Sequence, residues 1–290
     1  LSPRGAHVRY AVGRIPYLVM TEIATSRKEH VAMSDQGVQA VYSLFWLYRA
    51  APEWRRLPVA EREAGRAEFA DALESGLGDL TLRGAYSMVG FRHDADLMLW
   101  LHGPDLGRAQ DLAASLRRTA LGSYLEDVYT YTGIAPQSRY APEHRPAFTK
   151  GAEPRTYVSM YPFVKTHEWY LLPFEQRRAL MAEHGKMGQA HSAIPEVKVE
   201  TAGAAGTHGV AAVAEAPAAV STSGVLANTI HSFGLGDHEF VVAFEAEDPA
   251  DLEYMVEDLR AAEVRLYTAI DTPVFLGRRK EVRAALADLG

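Results

Sequence analysis

The chain has 290 residues, of which 48% are hydrophobic and 23% charged, with a formal net charge of −7 and no cysteine. This composition indicates a folded globular protein rather than a disordered one, and the acidic balance argues against a nucleic-acid partner. The lack of cysteine excludes disulfide scaffolds, zinc–thiolate sites, iron–sulfur clusters and thiol catalysis. No apolar run reaches the roughly 18 residues that a membrane-spanning helix needs, so we expect no membrane span.

The first 38 residues lie outside the repeat described below, and we interpret residues 1–38 as an N-terminal arm. Within this arm, residues 1–7 have the character of a tag remnant. The apolar stretch at 15–20 contains Pro16 and is not followed by a small-residue cleavage site, so it does not have the pattern of a secretory signal. We therefore expect a cytoplasmic protein.

An internal repeat organises the rest of the chain. Residues 53–58 recur as residues 168–173, 115 positions later, and residues 94–117 align without gaps with residues 237–260, 143 positions later. The two shifts differ by about 28 residues, which predicts an insertion of that length in the second copy. Residues 192–224 are rich in Ala, Gly, Val, Ser and Thr, and we interpret them as a flexible insertion loop. A partly ordered flap is the alternative.

Each copy has the predicted order strand, helix, strand, strand, helix, strand. In chain order, the first copy has strands near 40–50, 79–90, 95–103 and 122–133, with helices near 56–77 and 105–120. The second copy has strands near 155–165, 225–234, 238–246 and 273–278, with helices near 173–190 and 249–263.

This β-α-β-β-α-β order is the ferredoxin-like motif. Two such sheets, each with helices on one face, would bury their open faces against one another. We therefore predict an α+β protein with a duplicated ferredoxin-like fold, a dimeric α+β barrel. Its first repeat would span 39–150 and its second 151–290.

The second copy carries polar residues where the first carries packing residues. At the shift of 115 positions, Tyr161 stands opposite Trp46, His184 opposite Phe69 and Lys165 opposite Ala50. Because a duplication keeps the scaffold constant, this asymmetry predicts a single site in the C-terminal half.

His184 belongs to the apolar stripe of a predicted helix, with Leu180 and Met187, so it should point inward. One interpretation is a core histidine. The other is an axial ligand of haem iron, which a neutral imidazole suits. Gly185 and Gly188 would then let a flat macrocycle approach the helix, although glycines near a helix end are also common caps.

Tyr161 and Lys165 share one face of a predicted strand. That face is either aromatic core or a binding surface for a ligand with carboxylates, and lysine is seldom buried without a partner. Arg260 and Arg265, near the end of the last predicted helix, would add charge-assisted bonds or would be ordinary C-terminal helix charges. His144, in a proline-bracketed loop, is either a solvated bystander or a base for a peroxide proton.

Four segments together resemble a known family. They are YPFVK at 161–165, EWYLLP at 168–173, EHGKMG at 183–188 and LGDHE at 235–239. The chain is similar over residues 39–280 to the coproheme decarboxylases, the haem synthases of the chlorite dismutase superfamily, and in particular to their actinobacterial branch. The resemblance implies a duplicated ferredoxin-like barrel that assembles as a homopentamer.

The resemblance also implies residue roles. His184 would be the proximal ligand of the porphyrin iron, Tyr161 the radical-forming tyrosine, Lys165 a propionate-binding residue and His144 the distal histidine that deprotonates hydrogen peroxide. Further residues expected at the porphyrin are Phe163, Arg145, Arg260, Arg265 and Trp169, of which Trp169 would also be a secondary radical site.

The reaction implied by the resemblance is the oxidative decarboxylation of propionates 2 and 4 of iron coproporphyrin III to vinyl groups, which gives haem b. Hydrogen peroxide would be the oxidant, and the porphyrin would be both substrate and redox centre. A transient contact with a coproporphyrin ferrochelatase is also expected.

Three alternatives remain open from the sequence. A haem carrier or sensor would use the same pocket without turnover, and a structural module would bind no haem. A chlorite dismutase-like peroxidase is disfavoured because residues 225–230 contain no arginine, whereas chlorite-decomposing relatives place a distal arginine on that strand.

Overall fold

The structure is a computed structural model that describes residues 40–135, 145–193 and 224–290. The predicted arm at 1–38, the predicted distal His144 and residues 194–223 of the predicted insertion lie outside the described residues. All described residues belong to one compact unit, Ala40–Gly290.

The first half of the described chain has the predicted element order. It consists of β1 (Tyr42–Ala50), α1 (Val59–Gly76), β2 (Thr81–Ser87), β3 (Leu97–Gly103), α2 (Leu106–Leu116) and β4 (Leu125–Ile134). Helix α1 begins later than predicted because a 3-10 turn at Trp54–Arg56 and then Pro58 precede it. Strand β2 ends earlier than predicted because the chain turns at Gly90, which has a φ of +84°. Glycine adopts such a positive φ more readily than other residues do.

The second half repeats this order with three additional elements. It consists of β5 (Tyr157–Lys165), α3 (His167–Leu171), α4 (Phe174–Ala190), β6 (Leu226–His231), β7 (Phe240–Ala246), α5 (Pro249–Leu259), β8 (Thr268–Ile270), β9 (Phe275–Lys280) and α6 (Val282–Ala287). The short elements α3, β8 and α6 were not predicted. Asp105 caps α2, and Asp248, the matching residue of the second copy, caps α5 in the same way.

The two ends of the predicted insertion are neighbours. The backbone N–H of Val225 donates to the carbonyl of His191 (2.7 Å), and that of Ala193 donates to the carbonyl of Val225 (3.0 Å). The segment therefore leaves and re-enters the fold at one place, between α4 and β6.

Eight antiparallel strands form a closed sheet. In the first repeat their order is β4-β1-β3-β2, and in the second it is β6-β7-β5-β9, so each repeat has the ferredoxin-like arrangement. Strand β2 pairs with β9 and strand β4 with β6, the latter through Ile134 and His231. The two repeats thus join at both edges, which removes the free sheet edges, and the predicted duplicated ferredoxin-like fold is confirmed. Strand β8 pairs with the end of β5.

Strand alternation divides the core into an interior and two outer layers. Inside the barrel lie large side chains from both repeats, including Phe45, Trp100, Met160, Val241 and Phe275. On the outer face of the first repeat, Trp46, Phe69 and Leu112 pack between the sheet and its helices. On the outer face of the second repeat, Phe244, Leu252 and Met255 do so.

One buried ion pair crosses the barrel interior. Arg83 Nε of β2 contacts Glu245 Oε1 of β7 at 2.8 Å, and both side chains are almost fully buried. The Asn228 side chain donates to the same Glu245 oxygen (3.0 Å), and the Arg83 guanidinium lies 5.2 Å from the centroid of the Trp100 ring. Burial raises the pKa of Glu245, and Arg83 opposes this shift. The pair therefore links the two repeats through their shared interior.

None of the helices in the described parts of the chain is both long enough and apolar enough to cross a membrane.

Candidate functional site

The outer face of β5 carries the predicted site residues. Tyr161 and Phe163 belong to the outer cluster that includes Phe244, whereas Val158 and Met160 face the barrel interior. This alternation places Tyr161, Phe163 and Lys165 on one side of the strand, as predicted. Tyr161 and Phe163 are only half-buried, so the layer above them is not closed by packing.

The inward side of α4 faces this surface. Leu180 packs in a cluster with Trp169, and Met187 packs against the same buried cluster as Tyr161 and Phe163. His184 lies between Leu180 and Met187, one helical turn from each, and is therefore on the same side of the helix. The half-buried imidazole of His184 thus lies on the side of α4 that covers the Tyr161 face.

Helix α4 carries two glycines, Gly185 and Gly188, against which no other part of the described chain packs. A Cβ built on Gly185 or on Gly188 would meet no atom within 4 Å. Leu180 is the one fully buried residue of this helix. One imidazole, a phenol and a helix surface with two unpacked glycines fit an iron porphyrin held by one protein ligand. In the described residues, no cluster of three or more His, Cys, Asp or Glu side chains offers a multidentate metal site.

Tyr161 lies in a charged environment despite its burial. Burial raises the pKa of Tyr161 to about 12, while the charges of Arg260 and Arg265 lower it and the charge of Asp271 raises it. The phenol is therefore protonated at neutral pH. The edge of its ring also contacts Phe244, with the ring centroids 6.1 Å apart.

The structure brings the two predicted arginines together through a carboxylate that the sequence did not reveal. Asp271 Oδ2 contacts Arg260 Nη1 at 2.5 Å and Arg265 Nη2 at 2.8 Å. Arg260 follows α5, Arg265 lies in the 3-10 turn Glu263–Tyr267, and Asp271 lies between β8 and β9. No pattern in the sequence marked Asp271, because this contact depends on how three segments meet.

Lys165 is nine-tenths buried among aromatic rings. Its Nζ lies 4.5 Å from the centroid of the Trp169 ring and 5.0 Å from that of Phe163, within the range of cation–π attraction. Burial, helped by the charge of Arg265 and opposed by that of Glu239, lowers the pKa of Lys165 to about 8. The structure thus brings three predicted residues, Lys165, Phe163 and Trp169, into one group.

A second residue that sequence reasoning missed, Glu239, holds this corner of the site. The backbone N–H of Lys165 donates to Glu239 Oε2 (2.8 Å), and the Tyr170 hydroxyl donates to the same oxygen (2.6 Å). Glu239 lies in the LGDHE segment at 235–239, so the signal was that motif. The motif alone did not say which groups the carboxylate contacts.

Arg145 is not brought to this group by any polar contact. It is exposed just before the 3-10 turn Ala147–Lys150, and within the described ranges no hydrogen bond or ion pair joins it to the other site residues. Its predicted role stays a prediction, as does that of His144, which lies outside the described residues.

Comparisons with known proteins identify the family of the chain. The family model described as chlorite dismutase matches residues 59–211 and 214–280. A curated relative, coproheme decarboxylase of Mycolicibacterium smegmatis, is 32% identical over 254 residues, covering 86% of this chain and 94% of the relative. Coproheme decarboxylase of Thermus thermophilus is 26% identical over 249 residues, covering 82% of this chain and 80% of the relative.

Solved structures show the same fold. A mutant chlorite dismutase from Candidatus Nitrospira defluvii superposes with a TM-score of 0.69 at 24% identity, covering 86% of this chain and 95% of that one. Chlorite dismutase of the same organism in complex with imidazole superposes with a TM-score of 0.69 at 23% identity, covering 86% of this chain and 94% of that one. Because the family model matches most of the sequence, the chain belongs to the chlorite dismutase family.

Proposed function

We propose that the protein is a coproheme decarboxylase. It converts iron coproporphyrin III to haem b by hydrogen peroxide-dependent oxidative decarboxylation, the last step of coproporphyrin-dependent haem biosynthesis. The observation that carries this proposal is that the half-buried phenol of Tyr161 shares its strand face with Lys165 and lies in the field of Arg260 and Arg265, below the helix that carries His184. The names of the curated relatives support it.

The residues of the second repeat divide the work. His184 holds the porphyrin iron, and Lys165, Arg260 and Arg265 bind its carboxylates. The rings of Phe163 and Trp169 line the pocket. The bound iron porphyrin, together with hydrogen peroxide, supplies the oxidising equivalents. Each propionate consumes one hydrogen peroxide and one proton, and releases one carbon dioxide and two water molecules as it becomes a vinyl group.

Tyr161 relays the oxidation to the propionate. Because the pKa of Tyr161 is about 12, the side chain is a neutral phenol before it is oxidised, not a phenolate. Its oxidation therefore removes the hydroxyl proton together with one electron. The resulting phenoxyl radical takes a hydrogen atom from the propionate chain and regenerates the phenol. Trp169, whose ring centroid lies 5.8 Å from that of Tyr267, is a secondary radical site.

The remaining assignments come from the sequence. His144 acts as the base for hydrogen peroxide, and Arg145 contributes to substrate binding beside it. The first repeat, 39–150, binds no haem, whereas the second, 151–290, does. We also propose a cytoplasmic homopentamer that contacts a coproporphyrin ferrochelatase transiently.

The proposal is tested by loading the protein with iron coproporphyrin III, titrating it with hydrogen peroxide and analysing the porphyrin by mass. Wild type should give haem b through a monovinyl intermediate. Tyr161→Phe should bind the porphyrin but form no haem b, because the phenol hydrogen is missing. Tyr157→Phe is the matched control on the same strand face and should turn over normally. Normal turnover by Tyr161→Phe would refute the radical role.

A chlorite-decomposing activity is the second candidate, since the superposed structures are chlorite dismutases. Strand β6 carries no arginine, and its outward residues are Ala227, Thr229 and His231. Oxygen release from chlorite by the haem-loaded protein would favour this candidate. A porphyrin that is bound but left unchanged by both oxidants would favour a carrier or sensor.

A further inference from the structure

Asp271 occupies an unusual position at the edge of the candidate site. One of its oxygens, Oδ2, accepts a hydrogen bond from Arg260 Nη1 (2.5 Å) and forms an ion pair with Arg265 Nη2 (2.8 Å). The Asp271 side chain is 19% exposed, whereas those of Arg260 and Arg265 are 47% and 33% exposed. The carboxylate therefore lies deeper than the two guanidinium groups that it joins.

The two arginines keep most of their hydrogen-bonding capacity. A guanidinium group has five N–H donors, and each of these arginines uses one nitrogen on Asp271. Within the described ranges, no second carboxylate or carbonyl is bonded to either of them. The pair thus presents several N–H donors to a further acceptor, and bidentate donation to a carboxylate is the geometry that arginine favours.

Two like charges would not hold this arrangement alone. Arg260 and Arg265 come from different segments and would repel each other at this separation. Asp271 offsets the repulsion and ties both side chains to the loop between β8 and β9. Asp271 directly follows β8, which pairs with Val164 and Lys165 at the end of β5. The group therefore lies beside the end of the strand that carries Tyr161, the phenol to which we assign the oxidation.

We propose that Asp271 is a positioning residue that holds Arg260 and Arg265 as a single fork for one carboxylate of the porphyrin substrate. This inference rests on the proposed function, because it assigns part of the same site. Because Asp271 already orders the two long arginine side chains, they lose less conformational entropy when the ligand binds. Asp271 itself does not contact the substrate.

The direction in which one substitution changes the affinity for porphyrin distinguishes positioning from a simple charge effect. Asp271→Ala makes the site more positive, so charge alone predicts tighter binding of an anionic porphyrin. Positioning predicts weaker binding, because the freed arginines must be ordered by the ligand. Asp271→Asn keeps an amide oxygen as acceptor and should recover part of the loss.

Binding is measured by Soret titration with iron coproporphyrin III and, separately, with its iron tetramethyl ester, which has no charged carboxylates. We expect Asp271→Ala to weaken binding of the acid about tenfold and binding of the ester hardly at all. The matched control is Glu263→Ala, which removes an exposed negative charge from the turn that carries Arg265. It should bind the acid as tightly as wild type or slightly more tightly.

The outcomes separate the inference from the function on which it rests. Equal or tighter binding of the acid by Asp271→Ala would overturn the positioning role, and so would an equal loss for acid and ester. If wild type bound neither porphyrin, the proposed function would fail and the inference with it. Should Asp271→Ala fail to fold, Asp271→Asn carries the same test, with a smaller loss confined to the acid.

Discussion

The two repeats share one scaffold but differ in how completely side chains fill the space between the sheet and the first long helix. In the first repeat this space is filled: Trp46 is 5% exposed, and Phe69 on α1 is 1% exposed. In the second repeat Tyr161 and His184 take the corresponding positions and are only half-buried. The proposed binding site thus lies where smaller or more polar residues replace the packing residues of the first repeat, while the order of the backbone elements is kept.

The largest effect is expected from making the second repeat resemble the first at one position. His184→Phe places the Phe69 residue type on α4, removes the proposed iron ligand and fills the space with an apolar ring. Binding of iron coproporphyrin III, followed by Soret titration, should weaken by more than the roughly 10–100-fold that loss of a supporting residue costs at metal sites. Thermal stability should not fall, because apolar burial increases.

The reverse substitution is the matched control. Phe69→His puts an imidazole in the filled core of the first repeat, where it should destabilise the fold by about 3 kcal/mol in urea unfolding. It should create no second porphyrin site, because Trp46 still fills the space. Two porphyrins bound per chain would contradict this account of the asymmetry.

The barrel interior, unlike the outer layers, belongs to both repeats, so damage there should affect the whole fold. Arg83→Met leaves the Glu245 carboxylate buried without its cation, which should reduce the free energy of unfolding by about 3–5 kcal/mol. The control is Arg49→Met, since Arg49 and Glu126 form an ion pair that is about half-exposed. Its loss should cost about 0–1 kcal/mol in urea unfolding, and similar costs for the two variants would contradict the linking role of Arg83.

The smallest effect concerns Lys165, whose counterpart in the first repeat is Ala50. With a pKa of about 8, the Lys165 ammonium is charged below that pH and neutral above it. Binding of metal-free coproporphyrin III, measured by fluorescence, should therefore weaken by about threefold to tenfold between pH 7 and pH 9. In Lys165→Met, binding should no longer weaken between these two pH values. If the variant lost binding between pH 7 and pH 9 as the wild type does, another group would be responsible for the titration.

The lowered pKa of Lys165 affects stability in the opposite direction to binding, because it makes the folded protein more stable as the pH rises. The unfolded chain has the higher lysine pKa of about 10.4, so it binds more protons than the folded protein between pH 8 and that value. The free energy of unfolding should therefore rise with pH in this window through Lys165, and Lys165→Met should lose that contribution.

Local patterns carried most of the fold prediction. The period-2 pattern of β5 predicted that Tyr161, Phe163 and Lys165 share a face, and the three-to-four spacing of α4 predicted that His184 points inward. Both predictions depend only on neighbours a few residues apart. The short elements α3, β8 and α6 escaped prediction because they contain too few residues to show a period.

The sequence by itself determined the duplication, the element order, the faces of β5 and α4 and the position of the polar exchanges between the copies. These follow from repeated spacing and from side-chain periodicity along one segment. Only the tertiary structure decided that β4 meets β6 to close the barrel, that Arg83 meets Glu245 inside it, and that Asp271 joins Arg260 to Arg265. Those contacts pair residues from separate segments, and their geometry depends on how the chain packs rather than on any local preference.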